Sequence, residues 1–331
     1  MSDWTANFVL PHLSEEECRR AERLNPALDW PCFADGISAW TLQTFLELRS
    51  VGTTVSLSNQ FRHDTINVAH AISLNAYLQK RPEFIISLQA DYPRSIGVQQ
   101  HIVQNKSQVL GENVCWMPHW PQPGLLPRDK RRKEVRNVGY AGRQYYNVFR
   151  GEFINQRLKS MGLRLVELSP ANWNDFSQID VLCGVRSTDG YSYDKKPPSK
   201  MINSWLANVP FIGGPDSAYK QIGHPGINYL LAENTDEIFS GLRSLVDNPH
   251  RYQSLVTEGC LAGKLYCRES IRNQWIAYFS RIYMEEFVRW KKNGLRQNIH
   301  FLACDIYRKV RRTVKHLPGN KFVKSRLPFG R

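Results

Sequence analysis

The sequence predicts an α/β protein: two tandem domains built on parallel sheets, facing each other across a cleft, with a basic helical C-terminal extension. Three observations point there. In each half of the 331-residue chain, short apolar runs alternate with helical patterns, the grammar of a parallel sheet. A Pro-rich then charged stretch separates the halves, as a linker does. Positive charge gathers at one end: residues 281–331 hold fourteen Lys/Arg against Glu285, Glu286 and Asp305, so +11 of the net +14 sits there and the other 280 residues carry +3.

The elements follow in order. Phe8 to Leu10 starts as a buried strand. Asp35 caps a helix on which Ile37, Trp40, Thr41, Thr44, Phe45 and Leu48 recur at helical spacing, and Gly52 ends it. Residues 53–58 read as a strand, 64–80 as a helix, and 83–89, 101–105 and 113–117 as three further strands. PHWPQPGLLP (118–127) and RDKRRKEVR (128–136) break the pattern. It then restarts: strand 135–142, helix 147–161 stopped by Gly162, strands 163–168 and 179–185, helix 199–208, strands 209–214 and 227–231, helix 235–249, and helices to about 292. The division expected is a first domain at 1–126, a linker at 127–134, a second domain at 135–265, helices at 266–293 and a basic tail at 294–331.

Composition narrows the class. Apolar residues make up 42% and charged residues 22%, an ordinary globular balance. No apolar run reaches the roughly 18 residues of a membrane span. The N-terminus lacks the basic start and apolar core of a secretion signal. Cys18, Cys32, Cys115, Cys183, Cys260, Cys267 and Cys304 form neither CxxC nor a zinc spacing, so reduced thiols and a cytoplasmic location are expected. Walker A, GxGxxG, HExxH, GxSxG and DxD motifs do not occur. That weakens the kinase, ATPase and dehydrogenase readings and gives no indication of a metal.

Ligands of open α/β sheets bind beyond the carboxyl ends of the strands. The loops there are Asp35-Gly36, Ser58 to Asp64, Gln89 to Arg94, Gly139 to Arg143, Arg186 to Lys200 and Gly213 to Tyr219. Pro197-Pro198 lead into Ser199, a good N-cap, with Lys200 in the first helical turn. An ammonium beside free N–H groups and the positive end of a helix dipole suits a diphosphate; the same lysine also reads as a solvated helix start. Gly213-Gly214 permits close approach of backbone to a ligand, or forms a tight turn only.

Segment 195–231, KKPPSKMINSWLANVPFIGGPDSAYKQIGHPGINYLL, resembles the donor-binding half of glycosyltransferases of the GT-B fold. It carries the Lys at a helix start, the "A-x-G-x-P-V" helix end and the glycine turn. NVGYAGR (137–143), QIDVLCGVRS (178–187) and NTDEIFSGLRSLVDNPHRYQSL (234–255) resemble the family's flanking motifs in the same order. The resemblance covers about 135–265, while the first half agrees in architecture only. It implies two Rossmann-like domains. Arg143 and Lys200 would hold the donor pyrophosphate, with Gly139 and Gly142 passing close to it. Ser217, Ala218 and Tyr219 would offer backbone amides, and Arg186 and Gly214 belong to the same donor side. The family's E-x7-E pair is absent: Lys195 and Asn203 stand in its places. An Asn203 amide still hydrogen-bonds a ribose hydroxyl in this reading. An inverting reaction needs a base from the first domain. Asp91, after strand 83–89, is the first candidate, with His63, Asp64 and Asp35 as alternatives; each also reads as a cap, turn or surface residue. His119 in MPHWPQP reads as a hinge residue.

In the tail, residues 298–315 place Ile299, Leu302, Ala303, Ile306, Val310 and Val314 on one helix face, with Arg308, Lys309, Arg311, Arg312 and Lys315 over much of the rest. This fits an anionic membrane surface through residues 298–326, or a stripe that packs on the body. Nucleic acid is disfavoured, since no zinc-finger or RNA-binding signature accompanies the charge. The expectation is a metal-independent glycosyltransferase without cofactor. It would take a nucleotide-sugar donor and a sugar, lipid-linked or glycan acceptor, in glycolipid or surface-polysaccharide synthesis. The alternatives are an inactive sugar- or nucleotide-binding protein on the same scaffold, and a nucleic-acid binder through its tail.

Overall fold

A computed structural model describes residues 4–76, 83–142, 148–188 and 190–315. Its architecture is two parallel sheets with helices. The first half runs β1 (Ala6–Val9), α1 (Glu15–Ala21), a π-helical turn (Ser38–Leu42) leading into α2 (Gln43–Arg49), β2 (Val55–Ser58), β3 (Ile66–His70), α3 (Ala71–Ala76), β4 (Phe84–Leu88), β5 (Gln100–Val103) and β6 (Val114–Trp116). Among the described residues these strands form one sheet in the order β2-β1-β3-β4-β5-β6, parallel throughout. The second half runs β7 (Asn137–Ala141), α4 (Glu152–Ser160), β8 (Arg164–Leu168), β9 (Val181–Cys183), α5 (Ser199–Leu206), β10 (Phe211–Gly213), α6 (Ser217–Ile222) and β11 (Leu230–Leu231). Its sheet has the order β11-β10-β9-β7-β8, again parallel. α7 (Thr235–Asp247), α8 (Pro249–Gly263), α9 (Arg268–Ile282), α10 (Val288–Lys292) and α11 (Gly294–Lys315) complete the chain.

One expected element is corrected. The helix at 64–80 is a strand, β3, followed by the short α3; residues 77–80 lie outside the described residues. β3 is buried along its whole length. A strand covered on both faces shows no alternation of polar and apolar residues, so periodicity does not distinguish it from a helix. The β2–β3 connection is also too short for a crossover helix. Two buried asparagines hold the loop 59–65 against the sheet instead. Asn7 Nδ2 donates to the Gln60 carbonyl at 2.9 Å, and Asn67 Nδ2 to the Arg62 carbonyl at 2.7 Å.

The last helices return to the first sheet. Ile271, Trp275, Phe279 and Ile282 of α9 share one core with Phe8, Phe45 and Phe84, and Trp4 stacks on Phe279 at 4.7 Å between centroids. Glu47 of α2 is fully buried beneath α9, where Arg268 (2.8 Å) and Arg272 (2.9 Å) hold its two oxygens. The charged stretch between the sheets is pinned in the same way. Arg128 and Arg132 both pair with the buried Asp180, at 2.9 and 2.7 Å.

Each sheet has one place where neighbouring strands leave in opposite directions. In the first it lies between β1 and β3, in the second between β7 and β9. Ligands of open α/β sheets bind in the crevice outside the carboxyl ends of such strands.

Candidate active site

On the second sheet the site begins where β7 and β9 end. β7 runs into Gly142, and β9 into Gly184, Val185 and Arg186. Arg143 lies outside the described residues. Lys200, in the first turn of α5, reaches back over this end, with its Nζ 5.1 Å from the Tyr140 ring centroid. A Cβ on Gly142 would sit 3.2 Å from that Nζ and 3.0 Å from the Tyr140 hydroxyl. A side chain there would crowd the ammonium, and glycine leaves it room. Lys200 makes no ion pair with a described residue. Burial, then the positive charge of Arg186, pushes its ammonium down to about 7.

Arg186 is fixed by contrast. Its Nε donates to Asp216 Oδ1 at 2.5 Å and its Nη2 to the Pro197 carbonyl at 3.3 Å. Its guanidinium also lies 5.9 Å from the Tyr219 ring. Burial, opposed by Arg186, sets the Asp216 carboxyl above its usual range, and Asp216 Oδ2 has no hydrogen-bond partner among the described residues. Two cations and one buried carboxylate thus share one strand end. A second anion would balance that charge.

On the first sheet, Asp35 and His70 stand at the carboxyl ends of β1 and β3. Asp35 caps the turn that follows, accepting from the N–H groups of Ile37 (2.8 Å) and Ser38 (3.0 Å). His70 is buried, and burial lowers its imidazole to about 4. It is therefore neutral at physiological pH. The Ile72 N–H donates to its Nδ1 at 3.3 Å, which places the ring proton on Nε2. That Nε2 has no hydrogen-bond partner among the described residues and lies beside Gly36, where an added Cβ would be 3.8 Å away. Asp91, in the turn after β4, has a side chain 43% exposed and is ion-paired with Lys196 from the second half.

The two halves meet around these residues. Gln104 Nε2, at the end of β5, donates to Asp91 Oδ1 (2.5 Å) and to the Lys195 carbonyl (2.8 Å). Asn105 Nδ2 donates to the Lys196 carbonyl (3.1 Å) and to Ser217 Oγ (2.9 Å). Gln221 of α6 returns donors to Asn105 Oδ1 and Ser107 Oγ, both at 2.9 Å.

The structure therefore brings together Lys200, Arg186 and Gly142 on one side, and Asp35 and Asp91 on the other. It sets several sequence-predicted residues elsewhere. His63 is exposed in the turn leading into the amino end of β3, the far end of the sheet. Gly139 is a packing glycine, since a Cβ there would meet Ile179 Cγ2 at 2.7 Å. Ala218 and Tyr219 are buried at 1% and 0% exposure, and the Tyr219 hydroxyl donates to the Gly184 carbonyl at 3.3 Å. The Ser217 N–H is taken by the Ser192 carbonyl at 2.7 Å. Asn203 Oδ1 accepts from the Gln122 N–H at 2.9 Å, tying α5 to the Pro-rich stretch 118–127. Gly214 gives the β10–α6 loop clearance over β9, with Val185 Cγ1 3.4 Å from an added Cβ. His119 has its Nδ1 bonded to the Trp120 carbonyl at 2.8 Å and its ring edge-on to Trp40. The sequence reading missed His70, Gln104, Asn105 and Asp216. The signal for three of them was a polar residue closing a short apolar strand.

Two opposed Rossmann-like sheets, with the last helices folded back on the first, define a GT-B fold, and this chain has it. Among solved structures it is similar to AviGT4, a glycosyltransferase involved in avilamycin A biosynthesis. That match has TM-score 0.53 and 11% identity, covering 85% of this chain and 98% of that one. It is also similar to HepE from Anabaena in complex with UDP, with TM-score 0.50 and 9% identity over 85% of this chain and 100% of that one. TarM matches with TM-score 0.48 and 12% identity over 72% of this chain, which spans 59% of TarM's length. No protein-family model matches the sequence, and neither does any curated protein.

Proposed function

We propose that the protein transfers a glycosyl group from a nucleotide diphosphate sugar to an acceptor hydroxyl. One observation carries this reading. Lys200 and Arg186 converge at the carboxyl ends of β7 and β9, where Asp216 is ion-paired with Arg186 and the two cations outnumber it. Negative charge develops on the departing diphosphate as the glycosidic bond breaks. Cations already held in place stabilise that charge without reorganisation, which is the part a metal ion plays elsewhere. The architecture it shares with AviGT4, described as a glycosyltransferase, and with HepE, solved with UDP, supports the reading at the level of fold.

In this reading the acceptor, a sugar, glycan or lipid-linked glycan, enters from the first half beside Asp35, His70 and Asp91. Inversion requires a base, and Asp91 is the carboxylate nearest the facing half. Its partner Lys196 exchanges Asp91 for a donor phosphate, which frees the carboxylate to accept the hydroxyl proton. The bonds from Gln104 and Asn105 to the facing loop hold the cleft closed and keep water from the donor.

The test is a thermal-shift screen of UDP, GDP, dTDP, CMP and their sugars, with and without EDTA, on wild type and Lys200→Ala. A ligand at 100 times its Kd adds about 2.7 kcal/mol of stability. Stabilisation by one nucleotide family, insensitive to EDTA and lost in Lys200→Ala, supports the reading and names the base. No stabilisation of the folded protein by any of them removes it.

A second reading, a binding protein without turnover, is favoured by one observation. The positions of the family's two carboxylates hold Lys195 and Asn203, and Asn203 Oδ1 is already occupied by the Gln122 N–H. Release of free nucleotide diphosphate in the presence of acceptor separates the two readings.

A further inference from the structure

Helix α11 presents an apolar stripe to solvent. Leu295, Ile299, Leu302 and Ile306 are 72, 58, 58 and 61% exposed. Spaced by four, three and four residues, they lie one above another on a single face, about 17 Å long at 1.5 Å per residue. The opposite face anchors the helix. Gln297 and Cys304 are buried there, and Gln297 Nε2 donates to the Trp290 carbonyl at 2.6 Å. His300 bonds Gln99 at 3.2 Å and packs edge-on against Trp290 at 5.3 Å. The body is thus already engaged by the other side of α11 and does not cover the stripe.

Charge identifies what does. Residues 294–331 carry ten Lys/Arg and one acid, Asp305. Five of the basic residues, Arg308, Lys309, Arg311, Arg312 and Lys315, fall in the last turns of the helix. A second copy of the chain would bring an equally basic tail against the first, and like charges oppose that pairing. A nucleic acid would satisfy the basic residues and leave the stripe in water. A bilayer with anionic headgroups takes both: the apolar side chains enter the headgroup–acyl boundary, and the basic residues that follow them along the helix lie within the field of the charged surface.

We infer that α11 docks the protein on an anionic lipid surface. Gln99 immediately precedes β5, so the helix lies at the amino ends of the first sheet, away from the cleft. Docking leaves the cleft uncovered, and the inference stands independently of what the cleft binds.

The test is co-sedimentation of the full chain with vesicles of phosphatidylcholine alone and of phosphatidylcholine mixed with phosphatidylglycerol. The expected result is binding about tenfold or more tighter to the mixed vesicles, weakening as salt screens the headgroups. The double variant Ile299→Asp/Leu302→Asp alters only exposed positions. Its circular dichroism and melting temperature should match wild type, while its binding to mixed vesicles falls about tenfold or more. Three outcomes overturn the inference: no sedimentation with either vesicle, sedimentation unchanged in the double variant, or a concentration-dependent dimer that the double variant abolishes.

Discussion

The two sheets bring opposite chemistry to the same cleft. At the strand ends of the second, Lys200 and Arg186 gather around a single carboxylate, Asp216. At those of the first stand Asp35, Asp91 and a neutral His70. The difference teaches where ionisation is made costly. Lys200 is pushed down to about 7 by burial and by Arg186, a cost that Asp216 offsets only in part. His70 is pushed down to about 4 by burial alone, against the pull of Asp35 and Asp91.

The sharpest way to break the comparison is to remove the Lys200 cation. Lys200→Met should weaken nucleotide diphosphate binding by about ten- to a hundredfold in calorimetry, the range of a charge-assisted contact. It should also raise the melting temperature of the unliganded protein, because the folded state no longer carries a desolvated ammonium. A lower melting temperature would make Lys200 a structural residue and dissolve the contrast. Next in size is Asp91→Asn. In the transferase reading it lowers turnover by about a hundredfold or more and leaves the donor dissociation constant near its wild-type value. Equal losses in both would assign Asp91 to binding.

The pH dependence of the second half follows from the same lysine. Its folded value, about 7, lies below its ordinary value of 10.5. Between those two values the unfolded chain keeps a proton that the folded one has lost. Stability of the unliganded protein should therefore rise with pH across that window, and Lys200→Met should flatten the rise. Nucleotide binding runs the other way. The ligand favours the ammonium, so affinity should fall as pH climbs above about 7, with proton uptake visible as a buffer-dependent heat in calorimetry. The smallest effects belong to residues outside the cleft. Asn203→Ala removes the acceptor of the Gln122 N–H and should cost about 1 kcal/mol of stability in urea melts, with nucleotide affinity unchanged. His63→Ala should leave turnover and stability at wild-type values.

Much of this arrangement was legible in the sequence, because parallel sheets write themselves as short apolar runs between helical patterns. Lys200 was readable for a local reason: Pro197, Pro198 and Ser199 mark a helix start, and the lysine follows. The failures have physical causes. β3 is buried on both faces and carries no period of its own. Gly139 and Gly142 look alike in NVGYAG, yet one meets Ile179 and the other Lys200, a distinction set by which way each strand position faces. Tyr219 belongs to the core because α6 lays it against Phe211 at 5.0 Å, a contact between residues whose facing the sequence does not encode locally. Asp216 and Gln104 gain their meaning from partners 30 and 13 residues away.

The return of α9 to the first sheet has a consequence in time. During synthesis β1 to β6 emerge early, but Phe8 lacks Phe279 of α9, Phe84 lacks Phe287 and Trp290 beyond it, and Glu47 lacks both of its arginines. At cellular elongation rates α9 follows β6 by on the order of ten seconds. The second sheet draws its partners from nearby sequence and can close as it is made. The beginning of the chain is then the last part to settle. Pulse-labelled hydrogen exchange during refolding should show amides of β9 protected before those of β1, and the reverse order would refute this sequence of events.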